Sequence, residues 1–270
     1  MTLALGVRAQ AAGTRLACFD QLGSTNAEAA ARARAGEAGP IWFATTEQTA
    51  GRGRRQRPWI APRGNLAASL LEVIDVSPGV AATLGFAAGL ALESALQAVT
   101  AQYIASYAVP LAIDYRLKWP NDVLANGNKL GGILLEAENV ANGRLAVVVG
   151  IGTNIVAHPT DTPYPATSLH ALGLNVSAEQ VFAALSDSWT ELRGLWDNGR
   201  GFAEIRRLWL QRAKGLGEPV SIRSGTSVIE GLFDSIDEAG CLIVRTPDGR
   251  RIPIAAGDVH FGSTASAGAS

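Results

Sequence analysis

The stretch from residue 118 to 138, Lys-Trp-Pro-Asn-Asp-Val-Leu-Ala-Asn-Gly-Asn-Lys-Leu-Gly-Gly-Ile-Leu-Leu-Glu-Ala-Glu, constrains the chain more than any other. Alternating Ile113, Tyr115 and Leu117 lead into it. Trp119 is held extended, because the proline that follows crowds the helical conformation. A turn at Asn121-Asp122 opens a short strand over 123–125. Asn126-Gly127 then supplies two residues that tolerate positive φ, which a tight two-residue hairpin turn requires. The chain returns through Lys129 into Ile133-Leu134-Leu135, an apolar run that reads as a buried strand. A lysine therefore stands at each end of one hairpin beside a core, with Asn and Asp between. Only three of the 23 basic residues are lysine (Lys118, Lys129, Lys214), and two of them fall within twelve positions. That clustering points to a need for a compact ammonium. A solvated hairpin whose charges guard a sheet edge is the alternative reading.

The flanking chain reads as an α+β protein. Residues 1–14 are weakly patterned and read as a loose lead-in. Leu16, Cys18 and Phe19 suggest a first strand, and Thr25 with Glu28 three positions on fits a capping box that starts a helix to residue 35. Strands are expected over 41–44, 65–73 and 144–154. The last is continuous and apolar, as at a sheet centre, and ends in glycines and Asn154, which a core does not require. Helices are expected over 79–99, 177–195 and 202–212, with a polar loop over 157–167. The first of these helices carries Gly85, Gly89, Glu93, Ser94 and Gln97 and reads as a core helix, not a membrane span. Beyond Lys214 the pattern changes to five short strands with turns at Ser224-Gly225, Ala239-Gly240 and Asp248-Gly249, a small barrel-like module. The expected division is a large domain over 1–214, a small β domain over 215–263 and a disordered tail over 264–270.

Residues 45–59 carry the densest positive charge, with four arginines in the six positions 52–57 and glycines at 51 and 53. Glycine lets backbone N–H groups approach an anion, and arginine forks match phosphate or carboxylate oxygens in pairs. Gln56 stands where a dinucleotide fingerprint needs a third glycine, and no Gly-Lys-Ser/Thr follows as in a P-loop. An anion-binding loop that orders around its ligand, a solvated loop and a nucleic-acid arm all remain open. A net charge of −1 offers no broad basic field to nucleic acid or anionic membrane. Cys18 and Cys241 lie far apart and the three histidines show no zinc spacing, which suits a reducing cytoplasm. The N-terminus has no signal-peptide pattern, so a soluble cytoplasmic protein is expected.

Taken together, Gly-Arg-Gly-Arg-Arg-Gln-Arg-Pro-Trp (51–59), Lys-Trp-Pro-Asn-Asp (118–122) and Asn-Lys-Leu-Gly-Gly-Ile-Leu-Leu-Glu (128–136) resemble the biotin protein ligases. Ser24-Thr25-Asn26, Gln48 and Gly-Ile-Gly-Thr-Asn (150–154) fall where that family has them. The resemblance implies a class II synthetase-like ligase domain with a mixed sheet and flanking helices, and a small SH3-like β-barrel at the C-terminus. It implies ATP, Mg²⁺ and biotin as reactants and a biotin carboxyl carrier domain as protein partner. By that resemblance Ser24, Thr25, Asn26, Gln48, Gly51, Arg52, Gly53, Arg54, Lys129, Gly131 and Gly132 bind biotin, with Lys129, Arg54 and Arg52 catalytic. Arg54, Arg57, Trp59, Lys118, Asn121, Asp122, Lys129 and Asn154 would serve ATP, and Asp122 the metal. Glycine is usual in the family where Gln56 stands, which puts loop closure in question. Some fifteen residues before the first strand are too few for the DNA-binding domain of bifunctional members, so a monofunctional protein without operator DNA is expected. Edge-to-edge homodimers occur in the family and are possible here. The rival readings are a lipoate ligase-like adenylating enzyme, a nucleic-acid-binding module and a noncatalytic biotin sensor.

Overall fold

The computed structural model describes residues 3–140, 143–162, 164–224 and 227–261. The N-terminal segment is not a loose lead-in. It forms α1 (Val7–Ala11), with Leu3 and Ala9 buried, and docks where Gly6 N donates to Ser186 Oγ at 2.8 Å and Ala9 N to Asp187 Oδ1 at 3.0 Å. Next come β1 (Arg15–Phe19), α2 (Thr25–Arg34), β2 (Ile41–Thr45), β3 (Gln48–Arg52), β4 (Pro58–Ala61) and β5 (Leu66–Ile74). Then follow α3 (Pro78–Ala82), α4 (Leu84–Tyr107), β6 (Tyr115–Lys118), β7 (Asp122–Ala125), β8 (Asn128–Asn139) and β9 (Leu145–Thr153). The C-terminal part comprises α5 (Ala178–Trp196), α6 (Phe202–Gln211), β10 (Pro219–Ser224), β11 (Ser227–Ile236), β12 (Leu242–Arg245), β13 (Arg251–Ile254) and β14 (Asp258–Phe261).

Seven strands form the main sheet in the order β1-β2-β5-β9-β8-β7-β6, parallel only between β1 and β2. Successive strand residues face opposite sides, and the sequence of β9 uses this. Leu145, Val147, Val149 and Ile151 join the larger core under the helices, while Ala146 and Val148 face α2 on the other side. On β2, Trp42 and Ala44 likewise face the helices and Phe43 faces α2. The helix side is closed by α4 and α5, where Trp42 meets Phe182 edge to face with centroids 5.7 Å apart. Truncating a fully buried leucine here, such as Leu96 of α4, costs about 2–5 kcal/mol. The segment Pro78–Tyr107 is long and apolar enough to cross a membrane, yet 72% of its most apolar window is buried inside the protein. The core helix expected over 79–99 is thus real but divided, and its main part runs on to a left-handed cap at Ala108 (φ 52°).

The α2 cap lies one residue earlier than expected. Ser24 is extended and its side chain accepts from Ala27 N, whereas Thr25 is already helical and Glu28 pairs with Arg32. No capping box forms, because Glu28 reaches forward along the helix. The predicted 45–59 loop contains the two-stranded hairpin β3–β4, closed by a turn over Arg54–Gln56 in which Arg55 and Gln56 have positive φ.

The last five strands form one antiparallel sheet in the order β13-β12-β11-β10-β14. Among the described residues no pairing joins β13 to β14, so the five strands of the expected barrel-like module form an open sheet. Strand β14 and its lead-in turn instead toward the large sheet, where Gly257, Asp258 and Val259 wall a cavity. Of the expected turns, Ala239-Gly240 and Asp248-Gly249 have positive φ at glycine, and the Ser224-Gly225 turn involves residues outside those described. The 264–270 tail also lies outside them.

Candidate active site

Two glycines open the site. At the end of β9 the α2-facing positions change from Ala146 and Val148 to Gly150 and Gly152. A Cβ at Gly150 would stand 2.1 Å from Asn26 Oδ1, and one at Gly152 would stand 2.4 Å from the Trp59 indole. Bare backbone thus lets Asn26 and Trp59 settle onto the sheet. Around this floor lies a cavity of about 470 Å³, walled by the start of α2, the β3–β4 flap, the β7–β8 hairpin, the 157–168 loop and the turn before β14.

One wall is neutral and hydrogen-bonding. Thr25 N donates to Gln48 Oε1 at 2.9 Å, and the Thr25 hydroxyl lies 3.2 Å from the same oxygen. The buried Ser69 Oγ is 2.7 Å from Thr25 Oγ1 and 2.6 Å from Asn26 Oδ1. Asn26 Nδ2 donates to Glu136 Oε2 at 2.8 Å, and Glu136 Oε1 is 3.7 Å from the Arg52 guanidinium.

The opposite wall is charged. Lys129 Nζ is 2.6 Å from Asp122 Oδ1 and lies over the Trp59 ring. Arg54 donates to Asn121 Oδ1 at 3.1 Å, and Asn121 Nδ2 is fixed by Ile133 O at 2.8 Å. Burial pushes the Arg54 guanidinium below its usual range, with the Arg55 charge adding to the effect and Asp122 opposing it. Lys118 Nζ sits 4.5 Å from the centroid of the Tyr164 ring. Its burial pushes the ammonium below the usual lysine range, Asp122 opposes this and Lys129 adds to it. Two cations that are costly to bury in a shared cavity make it a receptor for anionic oxygens.

The flap is fastened to the C-terminal sheet. Arg55 and Arg57 both donate to Asp258 Oδ2, at 2.7 and 3.0 Å. Burial works against the Asp258 charge, but Arg57, Arg55 and Arg54 outweigh it and hold the carboxyl below its usual range. Next to it, Tyr164 OH and His260 Nε2 are 3.0 Å apart. Burial, reinforced by Lys118, lowers the imidazole below its ordinary range.

The cavity brings together Ser24, Thr25, Asn26, Gln48, Arg52, Gly53, Arg54, Arg57, Trp59, Lys118, Asn121, Asp122, Lys129, Gly132 and Asn154. Gly51 and Gly131 do not line it. Gly51 makes room for Gln48, whose Nε2 would lie 2.3 Å from a Cβ there, and Gly131 faces Leu92 in the helix-side core. Trp59 Nε1 and Asn154 Oδ1 are buried without a hydrogen-bond partner among the described residues. Among those residues, no group of three or more His, Cys, Asp or Glu side chains could cage a metal. The sequence reading missed Ser69, Glu136, Tyr164 and Asp258. A serine between Ala68 and Leu70 inside a buried strand is a usable signal for Ser69, whereas nothing local marks Asp258.

The sequence matches the Biotin/lipoate A/B protein ligase family over residues 19–154 and the Biotin protein ligase C terminal domain over 215–262. It is 42% identical to the biotin–acetyl-CoA-carboxylase ligase of Paracoccus denitrificans, covering 88% of this chain and 97% of that protein. Identity to the ligase of the same name from Mycobacterium tuberculosis is 34%, over 88% of this chain and 86% of that one. The fold is similar to the Aquifex aeolicus biotin protein ligase solved with biotin and ATP, at a TM-score of 0.70 and 24% identity, covering 92% of this chain and 98% of that one. With a ligase family match over 19–154, a C-terminal domain match over 215–262 and 42% identity along nearly the whole length of a biotin–acetyl-CoA-carboxylase ligase, the chain belongs to the biotin protein ligase family.

Proposed function

We propose that the protein activates biotin with ATP to biotinyl-5′-AMP and transfers the biotinyl group to a lysine of a biotin carboxyl carrier domain. The observation that carries this reading is the division of one cavity into a neutral hydrogen-bonding wall and a cationic wall. A neutral heterocycle fits the wall of Thr25, Asn26 and Gln48, and a carboxylate meeting a phosphate fits the end with Lys129, Lys118 and Arg54. About 470 Å³ also lies within the usual span of small-ligand sites.

A carboxylate and a triphosphate repel, so joining them needs alignment and fixed positive charge. The biotin carboxylate attacks the α-phosphorus and pyrophosphate leaves. Lys129 faces the carboxylate and α-phosphate, where its ammonium offsets charge gathering on the oxygens. Arg54 and Arg52, with Gly53 between them, close over the adenylate and keep water off the anhydride. Trp59 and Asn154 each offer a buried, unpaired polar atom to the bound molecule. The carrier lysine amine then attacks the acyl carbon and AMP leaves.

Mg²⁺ is assigned to the nucleotide. Magnesium commonly binds through one or two carboxylates plus substrate phosphates, and Asp122 is the cavity carboxylate beside Lys129. The metal would neutralise phosphate charge when bound, and Asp122 meanwhile orients the Lys129 ammonium.

The lipoate alternative shares the adenylation chemistry, but the match to the biotin ligase C-terminal domain favours biotin. Operator DNA is not part of this reading, since Arg55 and Arg57 are committed to Asp258 and are not fanned across a surface. Two free thiols fit a cytoplasmic setting. Self-association is assigned to the open edge at β1, because residues 212–214 cover the other edge at Leu117. The deciding experiment incubates the protein with ATP, Mg²⁺, biotin and a carrier domain and measures the carrier mass. A gain of one biotinyl group supports the proposal, and an unmodified carrier with no pyrophosphate released overturns it.

A further inference from the structure

Behind the hydrogen-bonding wall stands a group that can only accept hydrogen bonds, and the reaction above gives it no task. Glu136 lies on β8 with Oε2 2.8 Å from Asn26 Nδ2. A carboxylate has no proton to give, so the end of the Asn26 amide facing it is the NH₂ end. The other end, Oδ1, therefore faces Ser69 Oγ at 2.6 Å and needs a proton from it. Ser69 has only one. Its second short contact, 2.7 Å to Thr25 Oγ1, must then be bridged by the threonine proton. Gln48 Oε1 is already served by Thr25 N at 2.9 Å and makes the longer contact to the hydroxyl. Ser69, Asn26 and Thr25 are all buried, so bulk water does not rearrange the chain. Gly150, which carries no Cβ, lets the Asn26 amide lie flat against the sheet.

We infer that Glu136 is a positioning residue that sets the direction of the Asn26–Ser69–Thr25 hydrogen-bond chain and so leaves the Thr25 hydroxyl as an acceptor toward the cavity. An acceptor there selects a ring that carries N–H donors, as a cyclic urea does, over a ring with none, such as a dithiolane. The inference rests on the proposed function and names the residue behind its choice of ring. Replacing Glu136 by Gln keeps the size but offers a donor as well as an acceptor, so the longer 3.3 Å bond from Asn26 Nδ2 to Leu134 O is left to hold the amide alone, and the chain loses its fixed direction.

The test is calorimetric titration of the full-length protein with biotin and with lipoate. Glu136→Gln should weaken biotin about tenfold, the scale of one mispaired hydrogen bond. Lipoate binding, the KM for ATP, the Tm and kcat at saturating biotin should stay near the parent values. Ser69→Ala cuts the chain between Asn26 and Thr25 and should weaken biotin by itself, after which adding Glu136→Gln should change little. Parent-like biotin affinity in Glu136→Gln overturns the inference. So does a full additional loss in the double variant, which would mean that Glu136 acts directly or through Arg52. If the parent protein itself binds no biotin, the proposed function falls and this inference with it. A parent that binds biotin beside an unaffected Glu136→Gln defeats this inference alone.

Discussion

Arg57 and Asp258 lie 201 positions apart and share a 3.0 Å hydrogen bond, with Arg55 on the same carboxylate oxygen. The arginine flap is therefore anchored in the C-terminal sheet, and Arg54, on the same turn, is left pointing at Asn121. Both arginines are about half exposed, so each pair is worth only about 0.2–1 kcal/mol. Asp258→Ala should consequently leave Tm nearly unchanged while freeing the flap. Tryptic cleavage within 52–57 should accelerate, and biotinyl-AMP should escape sooner and label bystander lysines. Asp258 is held below its unfolded value, near 3.9. Its contribution is therefore fully present above that value and is lost as pH falls through the folded pKa. Flap protection should be flat across neutral pH and fail only in acid, as a proteolysis series with an acid-active protease would register.

Lys129 is paired with Asp122 at 2.6 Å, inside the cavity. Lys129→Ala removes the ammonium from the reacting carboxylate and strands an aspartate oxygen with almost no solvent contact. Loss of a preorganised charge of this kind costs about 10²–10³ in kcat. Pyrophosphate release should fall on that scale, and near-parental release would remove Lys129 from its role. Lys129→Arg should rescue little, since a planar fork does not replace a compact ammonium.

Gly152 supplies a different kind of constraint. An alanine there would press its Cβ to 2.4 Å from the Trp59 ring, which must shift because the opposing atoms are part of a rigid indole. Overpacking of this sort costs about 1–3 kcal/mol. Gly152→Ala should lower Tm modestly and weaken biotin binding more strongly, because Trp59 would be displaced into the cavity. Gly194→Ala is the control. Nothing lies within 4 Å of its Cβ position inside α5, and helix propensity alone should stabilise it by about 0.5–1 kcal/mol. A calorimeter would read both effects.

These residues show where sequence patterns suffice and where they do not. The β9 run and the Asn126-Gly127 hairpin were legible because a strand buried on both faces reads as a continuous apolar run and tight turns need positive φ, here 49° at Asn126 and 82° at Gly127. Glycines at 150 and 152 stood out because a core does not ask for them. The β3–β4 hairpin was not legible. It is short and polar, its register slips between Gln48 and Gly51, and its strands have no continuous apolar face. Asp258 was invisible for another reason, since its partners come from a flap two hundred positions earlier. The lead-in at α1 was misread because its buried contacts, through Leu3 and Ala9, are too few to set a period.

Gln56 joins both themes. The sequence marked it as a departure from glycine, and the structure places it in the left-handed region at φ 59°, directly after Arg55 at φ 56°. A side chain there costs about 1–2 kcal/mol relative to ordinary helical backbone. The two arginine bonds to Asp258 hold the turn against that cost. Gln56→Gly relieves the strain but adds freedom to the open flap, worth about 0.4–1 kcal/mol in the opposite sense. The strain relief is the larger of the two, so tryptic protection of 52–57 should match or modestly exceed the parent. Gln56→Val has no such compensation, because a β-branched side chain tolerates positive φ poorly. It should open the flap, speed cleavage and shorten adenylate retention. Equal protection in Gln56→Val and the parent would mean that the turn carries no conformational load and that Asp258 alone sets flap closure.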